Sequence, residues 1–372
     1  MLLQREREEL REAGVQAHSH RADGSDTINP TIKTVAQSLY FGWLIPVSLI
    51  IGLYLRTREW LFDKSLWLDE LMVTYNITHR GFAGLLKPLT FQQSGPIGWL
   101  WAERASIELF GTNDLALRFP EWAASIVALA VFPLVARKLI GRSATPAATL
   151  IFATSPEMIY YAAETKQYTF DVACALLALL VTAKLAQSRP SLGMGVVWGL
   201  CCAALVWCSQ PTIAVCAVCG LVLFLRWLRE RRALLAVVLG GAILALSVAL
   251  DWKIALQRQA ANVRLENFWR IFGGYPPLKQ SISVDLHWLR VAVTNTEDFF
   301  HLSEPYLALC LMACGLIVMT LCRRHFQGLL LGLPMAVAVG LARHQPLSVR
   351  PPPGALLVSH RGDAARRASR AL

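Results

Sequence analysis

Long apolar runs separated by short charged connections set the pattern of this sequence. The first run covers about 36–55, and others follow at about 121–136, 144–160, 169–186, 192–208, 212–225, 233–250, 305–322 and 327–342. A helix needs about 20 residues to cross the hydrocarbon core of a bilayer, and several of these runs are shorter than that. Taken together they predict an all-α polytopic membrane protein with about nine transmembrane helices. The domain reading is a cytoplasmic N-terminal segment over 1–34, a transmembrane domain over 35–342, and a basic tail over 343–372.

The polar positions between the runs give an orientation. Arg137, Lys138 and Arg142, then Lys184 and Arg189, then Arg226, Arg229, Arg231 and Arg232, then Arg323 and Arg324 fall in every second connection. The intervening short connections, 161–168 and 209–211, hold Lys166 alone among Lys and Arg residues. Because Lys and Arg are retained on the cytoplasmic side, the N-terminus and the basic connections are expected in the cytoplasm. Two long segments, 56–120 and 251–304, then fall together on the opposite face as external loops. Both are rich in aromatic residues, with Trp60, Trp67, Trp99 and Trp101 in the first and Trp252, Trp269, Trp288 and Tyr275 in the second. Indoles favour headgroup level, so interfacial helices are expected in both loops, either as aromatic-belt anchors or as substrate contacts. The apolar run that Gly95-Pro96 opens reaches Phe110 but carries Glu103 and Arg104 at its centre, which reads as an interfacial helix rather than a further span.

Composition removes the main alternatives to a membrane protein. Of 372 residues, 55% are hydrophobic and only 16% charged, against about a quarter charged in a soluble domain. The net charge of +11 is spread through the connections instead of forming one patch, so it argues for membrane topology and against nucleic acid as a partner. The nine cysteines lie in apolar segments or at their ends, where a thiol behaves as a small hydrophobe; neither a disulfide framework nor a zinc site is expected. No apolar signal-peptide core occurs in the first thirty residues, so the first span reads as an uncleaved anchor. The tail, with Pro351-Pro352-Pro353 and many Arg and Ala residues, has no run long enough to span. It reads as disordered and foreign to the parent fold, as a frameshift or truncated gene would produce.

Candidate chemistry gathers at two places on the external side. Asp69 and Glu70 follow the first span by only fourteen or fifteen positions, which puts an acidic pair near the headgroups. Carboxylates held there suit chemistry on a lipid-borne substrate, the alternative being a solvated loop. The short connection 161–168 holds Glu164, Lys166 and Tyr168, with Asp171 just inside the next span. If one helix ran through it, Tyr161, Glu164, Tyr168 and Asp171 would form a single stripe. Cations for a phosphate are available at Arg80, Lys87, Arg104, Arg118 and Lys166.

These residues carry a resemblance. The Asp-Glu pair after the first span is followed by Gly95-Pro96-Ile97-Gly98-Trp99-Leu100-Trp101, Leu109-Phe110-Gly111 and Ala116-Leu117-Arg118-Phe119-Pro120. Further on comes Ala163-Glu164-Thr165-Lys166-Gln167-Tyr168-Thr169-Phe170-Asp171. In that order they resemble bacterial GT-C superfamily glycosyltransferases, in particular protein O-mannosyltransferases and lipid A aminoarabinose transferases. The likeness is good over about 39–250, weak over 251–342 and absent in the tail. It implies a catalytic acidic residue in the first external loop, matched by Asp69 with Glu70 beside it, and a later acidic position matched by Asp171. It also implies a polyprenyl-phosphate sugar donor, inversion, transfer on the periplasmic side, and residence in a bacterial inner or plasma membrane. The chain departs from the family twice. Aminoarabinose transferases carry a phosphate-binding lysine immediately before the matching proline, where this chain has Gly95, and the family commonly has eleven or more spans, so an incomplete enzyme is one reading.

Elementary chemistry points the same way. A phosphate leaves without protonation, so an inverting transfer needs one carboxylate to take the acceptor hydroxyl's proton and cations for the departing phosphate. The sequence therefore predicts Asp69 and Glu70 as the catalytic pair, and Arg80, Lys87, Arg104, Arg118, Glu164, Lys166, Tyr168 and Asp171 as substrate-binding residues. No cofactor is required by this chemistry, a divalent metal is left open, and the partners are the lipid-linked donor, a lipid, glycan or protein acceptor, and membrane lipids. The alternatives are a transporter or flippase with sites on Pro-broken helices near the midplane, and an inactive fragment of the enzyme.

Overall fold

A computed structural model describes residues 30–188, 191–228, 231–257, 307–321 and 325–333. The expectations for most of 1–34, for nearly all of the second external loop at 251–304, and for the tail at 343–372 lie outside these residues.

Helix α1 (Pro30–Leu61) contains the first apolar run and continues past it, bringing Arg56, Glu59 and Trp60 to its far end. A short extended segment leads to α2 (Leu68–His79), whose first turn carries both Asp69 and Glu70. The Glu70 carboxylate reaches back to accept from the Trp67 backbone N–H at 3.2 Å, satisfying one of the amides that a helix start leaves without a partner. A single turn, α3 (Phe82–Leu85), and a 3₁₀ turn at Thr90–Gln92 precede α4 (Ile97–Phe110). Helix α5 (Asp114–Leu139) starts where the Asn113 side chain accepts from the Ala116 N–H at 2.8 Å.

The run at 144–160, read as one span, is two helices, α6 (Thr145–Thr154) and α7 (Pro156–Tyr160). Proline disfavours the helical region for the residue before it, and Ser155 is extended at φ −58°, ψ 122°. The break leaves the last carbonyls of α6 without amide partners. Arg56, fully buried on α1, supplies them: its guanidinium donates to Ala153 O at 2.8 Å and Phe152 O at 3.1 Å. The predicted stripe of Tyr161, Glu164, Tyr168 and Asp171 is corrected likewise. A 3₁₀ turn (Tyr161–Ala163) ends in an extended Glu164 at φ −126°, ψ 135°, and α8 (Tyr168–Gln187) begins only afterwards.

Helices α9 (Leu192–Cys208), α10 (Thr212–Arg226) and α11 (Arg231–Asp251) follow, with a π-helical extension at Trp252–Leu256, and α12 (Leu307–Leu321) lies after the second loop. No strand occurs among the described residues. Three helical segments there, Asp114–Leu139, Tyr168–Gln187 and Ala233–Leu256, are long and apolar enough to cross a membrane, while α6, α9 and α10 are shorter apolar helices. The count of nine spans is thus not reached among the described residues.

The apolar helices share one core, in which α5, α8, α9, α10 and α11 contribute Ala128, Leu180, Trp198, Cys219 and Val237. Helices α9 and α11 meet backbone to backbone at Gly195, Gly199, Ala236 and Gly240. A Cβ on Gly195 would lie 2.1 Å from Ala236 O, and one on Gly240 2.5 Å from Gly195 O. Residues spaced four apart lie on one helix face, and small ones there let helices pack closely in lipid. Gly195→Val is therefore expected to destabilise the fold by about 1–3 kcal/mol, the usual range for overpacking. A variant that melts in detergent at the wild-type temperature would contradict this seam. A second, smaller core that includes Val73, Ile77, Trp99, Leu100, Ile107 and Leu117 binds α2 and α4 to the start of α5.

Candidate active site

The two acidic stretches singled out in the sequence are joined in the fold. Asp69 on α2 pairs through Oδ2 with Lys166 Nζ at 2.5 Å. Its neighbour Glu70 accepts from the Thr165 backbone N–H at 2.8 Å. One turn of α2 therefore receives both Thr165 and Lys166, and the extended Glu164 makes this reach feasible.

The adjacent carboxylates have different surroundings because consecutive helix residues point about 100° apart. Glu70 is fully buried, and its second partner is Arg118 of α5, equally buried, at 3.2 Å. Arg118 also donates to Lys64 O. Glu70 thus ties together α2, α5, the 64–67 segment and the 164–166 segment. Asp69 keeps 38% of its side chain exposed beside Lys166 and takes a further bond from Gln93 Nε2 at 3.0 Å. The Gln93 oxygen accepts from Lys166 Nζ at 3.2 Å.

Gln93 follows an unusual turn. Phe91 and Gln92 are consecutive residues with positive φ, 58° and 59°. For side chains other than glycine such conformations cost of order 1–3 kcal/mol each and persist where surroundings impose them. Asn76, fully buried on α2, imposes this one: it accepts from Thr90 N at 2.9 Å and Thr90 Oγ1 at 3.0 Å, and donates to Thr90 O at 3.3 Å.

A tyrosine cluster borders the pair. Lys64 Nζ sits 3.7 Å from the centre of the Tyr160 ring and 3.6 Å from buried Glu164 Oε1. The hydrogen bond between Tyr160 and Glu164 comes first, and partial burial second, in holding the Tyr160 phenol protonated well above its ordinary range. Tyr161 packs edge-on against Tyr160 and Tyr168, and Tyr160 and Tyr168 are both exposed.

Beneath this layer, sequence reasoning missed a buried carboxyl pair. Glu103, read as a headgroup-level charge, is fully buried and lies within hydrogen-bonding reach of Glu121, also fully buried on α5. Trp99, expected among interfacial indoles, is buried too and donates to Glu121. Burial first, then the neighbouring Glu121 charge, push the Glu103 carboxyl well above the ordinary range. A carboxyl with a raised folded-state pKa contributes stability that is intact below its unfolded pKa and is lost as pH rises through the folded one. Thermal stability is therefore expected to fall as pH rises above the ordinary carboxyl range, and Glu103→Gln, which fixes the uncharged form, to flatten that dependence. Melting curves at rising pH check it; a slope unchanged by the substitution would count against a shared proton.

The other predicted residues are placed elsewhere or differently engaged. Arg80 donates to Pro88 O, Lys87 is exposed, and Arg104 pairs with Glu108 and donates to Ile77 O and Thr78 O, completing the end of α2. Asp171 accepts from Ser209 at the α9–α10 connection. Lys64, Gln93, Glu103 and Glu121 were not singled out. Glu103 and Glu121 carried a signal, the first as a charge within an apolar run and the second as a charge at the head of one just after Pro120.

Comparison with known families bears on residues 94–252, which match the family model of dolichyl-phosphate-mannose-protein mannosyltransferases. This match supports a GT-C superfamily glycosyltransferase. The matched stretch includes Arg118, Glu164, Lys166 and Asp171, and begins just past Gln93, so Asp69 and Glu70 precede it. Neither a curated protein nor a solved structure matches the chain significantly. The match and the three long apolar helices together point to an integral membrane protein. A Cβ at Gly95 would lie 2.6 Å from the buried Trp99 ring, so the position has no room for a larger side chain.

Proposed function

We propose that the chain transfers a sugar from a polyprenyl-phosphate donor to an acceptor hydroxyl on the extracytoplasmic face, with inversion, and that Asp69 is the general base. The observation carrying this reading is the Asp69–Lys166 pair: a half-open carboxylate and an ammonium from distant parts of the chain at one point. Asp69 has the exposure a base needs to reach an acceptor, whereas Glu70 is enclosed by Arg118, Thr165 and Trp67. Lys166 takes the donor phosphate in place of the lysine that position 95 cannot accommodate, and Lys64 is a second cation close by. The exposed tyrosine rings beside them present apolar faces with polar tips, a surface suited to a sugar ring.

In the transfer step the acceptor oxygen attacks the anomeric carbon as its proton passes to Asp69. The carbon–oxygen bond to phosphate breaks with its electron pair on the phosphate, which leaves as an anion held by the lysines. The experiment is transfer by the purified full chain from synthetic polyprenyl-phosphate sugars to a panel of hydroxyl-bearing lipids, glycans and serine or threonine peptides. Release of polyprenyl phosphate coupled to an inverted glycosidic product is expected. A folded protein that binds the donor and releases nothing with any acceptor would sink the reading and leave an inactive fragment.

A further inference from the structure

We propose that Gln93 is a positioning residue for the base: it fixes one oxygen of Asp69 and reserves the other for the acceptor's proton. The inference rests on Asp69 being the base. Its ground is that the two carboxylate oxygens have different partners. Oδ1 accepts from Gln93 Nε2 at 3.0 Å, while Oδ2 pairs with Lys166. The Gln93 amide can serve both neighbours in only one orientation, since a carboxylate needs the NH₂ and an ammonium needs the oxygen; Gln93 Oε1 does accept from Lys166 Nζ at 3.2 Å.

The backbone is built to deliver this side chain. Asp69 and Asn76 stand seven residues apart on α2, two turns along one face. Asn76 clamps Thr90 with three hydrogen bonds, and the left-handed pair Phe91 and Gln92 then returns the chain so that Gln93 meets Asp69. Such a turn is unfavourable for these residue types, so its presence beside the open carboxylate points to a requirement of the site.

The arrangement makes the base dependent on the donor. Before the donor binds, Lys166 occupies Oδ2. When the donor phosphate draws Lys166 away, Gln93 holds Oδ1, the carboxylate keeps its orientation, and Oδ2 is free to take the proton from the acceptor hydroxyl. That oxygen bonds to the anomeric carbon as the bond to phosphate breaks. Among the described residues, the charged and titratable groups that interact with Asp69 are Lys166 and Tyr168 from the 164–168 segment.

The test uses the full-length chain in three variants with the donor-dependent transfer assay. Gln93→Leu is expected to lower kcat by about 10- to 100-fold, the scale of a misoriented catalytic group, with the donor KM within about 2-fold of wild type. Gln93→Glu still accepts from Lys166 but cannot donate to Asp69, and its charge disfavours the ionised base. The acid limb of its kcat/KM profile is therefore expected at higher pH than in wild type. Wild-type kcat in Gln93→Leu, or an unshifted acid limb in Gln93→Glu, overturns the proposal. Asp69→Asn separates the two readings: if it stays active, the assignment of the base has failed, whereas an inactive Asp69→Asn beside a fully active Gln93→Leu defeats the role of Gln93 alone.

Discussion

Asp69→Asn is expected to lower turnover by a factor of about 10² to 10⁴, the range a positioned general base contributes, while donor affinity stays the same or improves. The asparagine is nearly isosteric, and its oxygen can still accept from Gln93, so the loop geometry should survive. What disappears is the group that takes the proton and the negative partner of Lys166. Without that carboxylate the ammonium is more available to a phosphate, which is why the donor KM should not rise. The measurement is steady-state transfer with a synthetic donor beside a binding isotherm for that donor. Wild-type turnover would mean that the Asp69–Lys166 pair is a solvated surface contact and nothing more.

Glu70→Gln should fail for a different reason. Breaking a fully buried ion pair by removing one partner costs about 3–5 kcal/mol, because the remaining charge is left uncompensated in a dry setting. Here that charge is Arg118, which is as buried as Glu70. The same carboxylate also accepts from the Thr165 and Trp67 amides, so the substitution loosens the 164–166 segment and the start of α2 together. A double variant, Glu70→Leu with Arg118→Met, should recover part of the stability by removing both charges, but not all of it, since the two amides still lack an acceptor. Melting in detergent distinguishes the two carboxylates: Asp69→Asn melts as wild type and is inactive, Glu70→Gln melts early. If Glu70→Gln melted normally yet was inactive, the base would be Glu70.

The sequence conveyed the helical class and the convergence of two acidic stretches because both depend on coarse signals, hydrophobic run length and the placement of Lys and Arg. Reading positions 69–70 and 164–171 onto one side put the two stretches on the same face, but the pairing of Asp69 with Lys166 is a tertiary contact that spacing alone does not specify. The sequence could not reveal that Glu70 turns inward, since adjacent helix positions are separated only once the register of α2 is known. The break at Ser155–Pro156 did have a signal, Pro156 itself, but the apolar residues on both sides outweighed it. Glu103 was read as facing headgroups because a charge in an apolar helix is usually solvated; pairing with Glu121 is a tertiary fact about two helices. Gln93 had no local signature, since its role comes from a turn that Asn76 holds from another element.

Arg56 and its carbonyl partner at Ala153 are 97 positions apart in the chain, a separation with a consequence for biogenesis. The ribosome delivers α1 with its guanidinium long before α6 exists. Until then a cation at the end of the first hydrophobic helix must stay at the lipid boundary with water, where long basic side chains reach the headgroups. Only when Phe152 and Ala153 emerge can that end of α1 be drawn into the protein. That end of α1 therefore reaches its final depth only after α6 has been made.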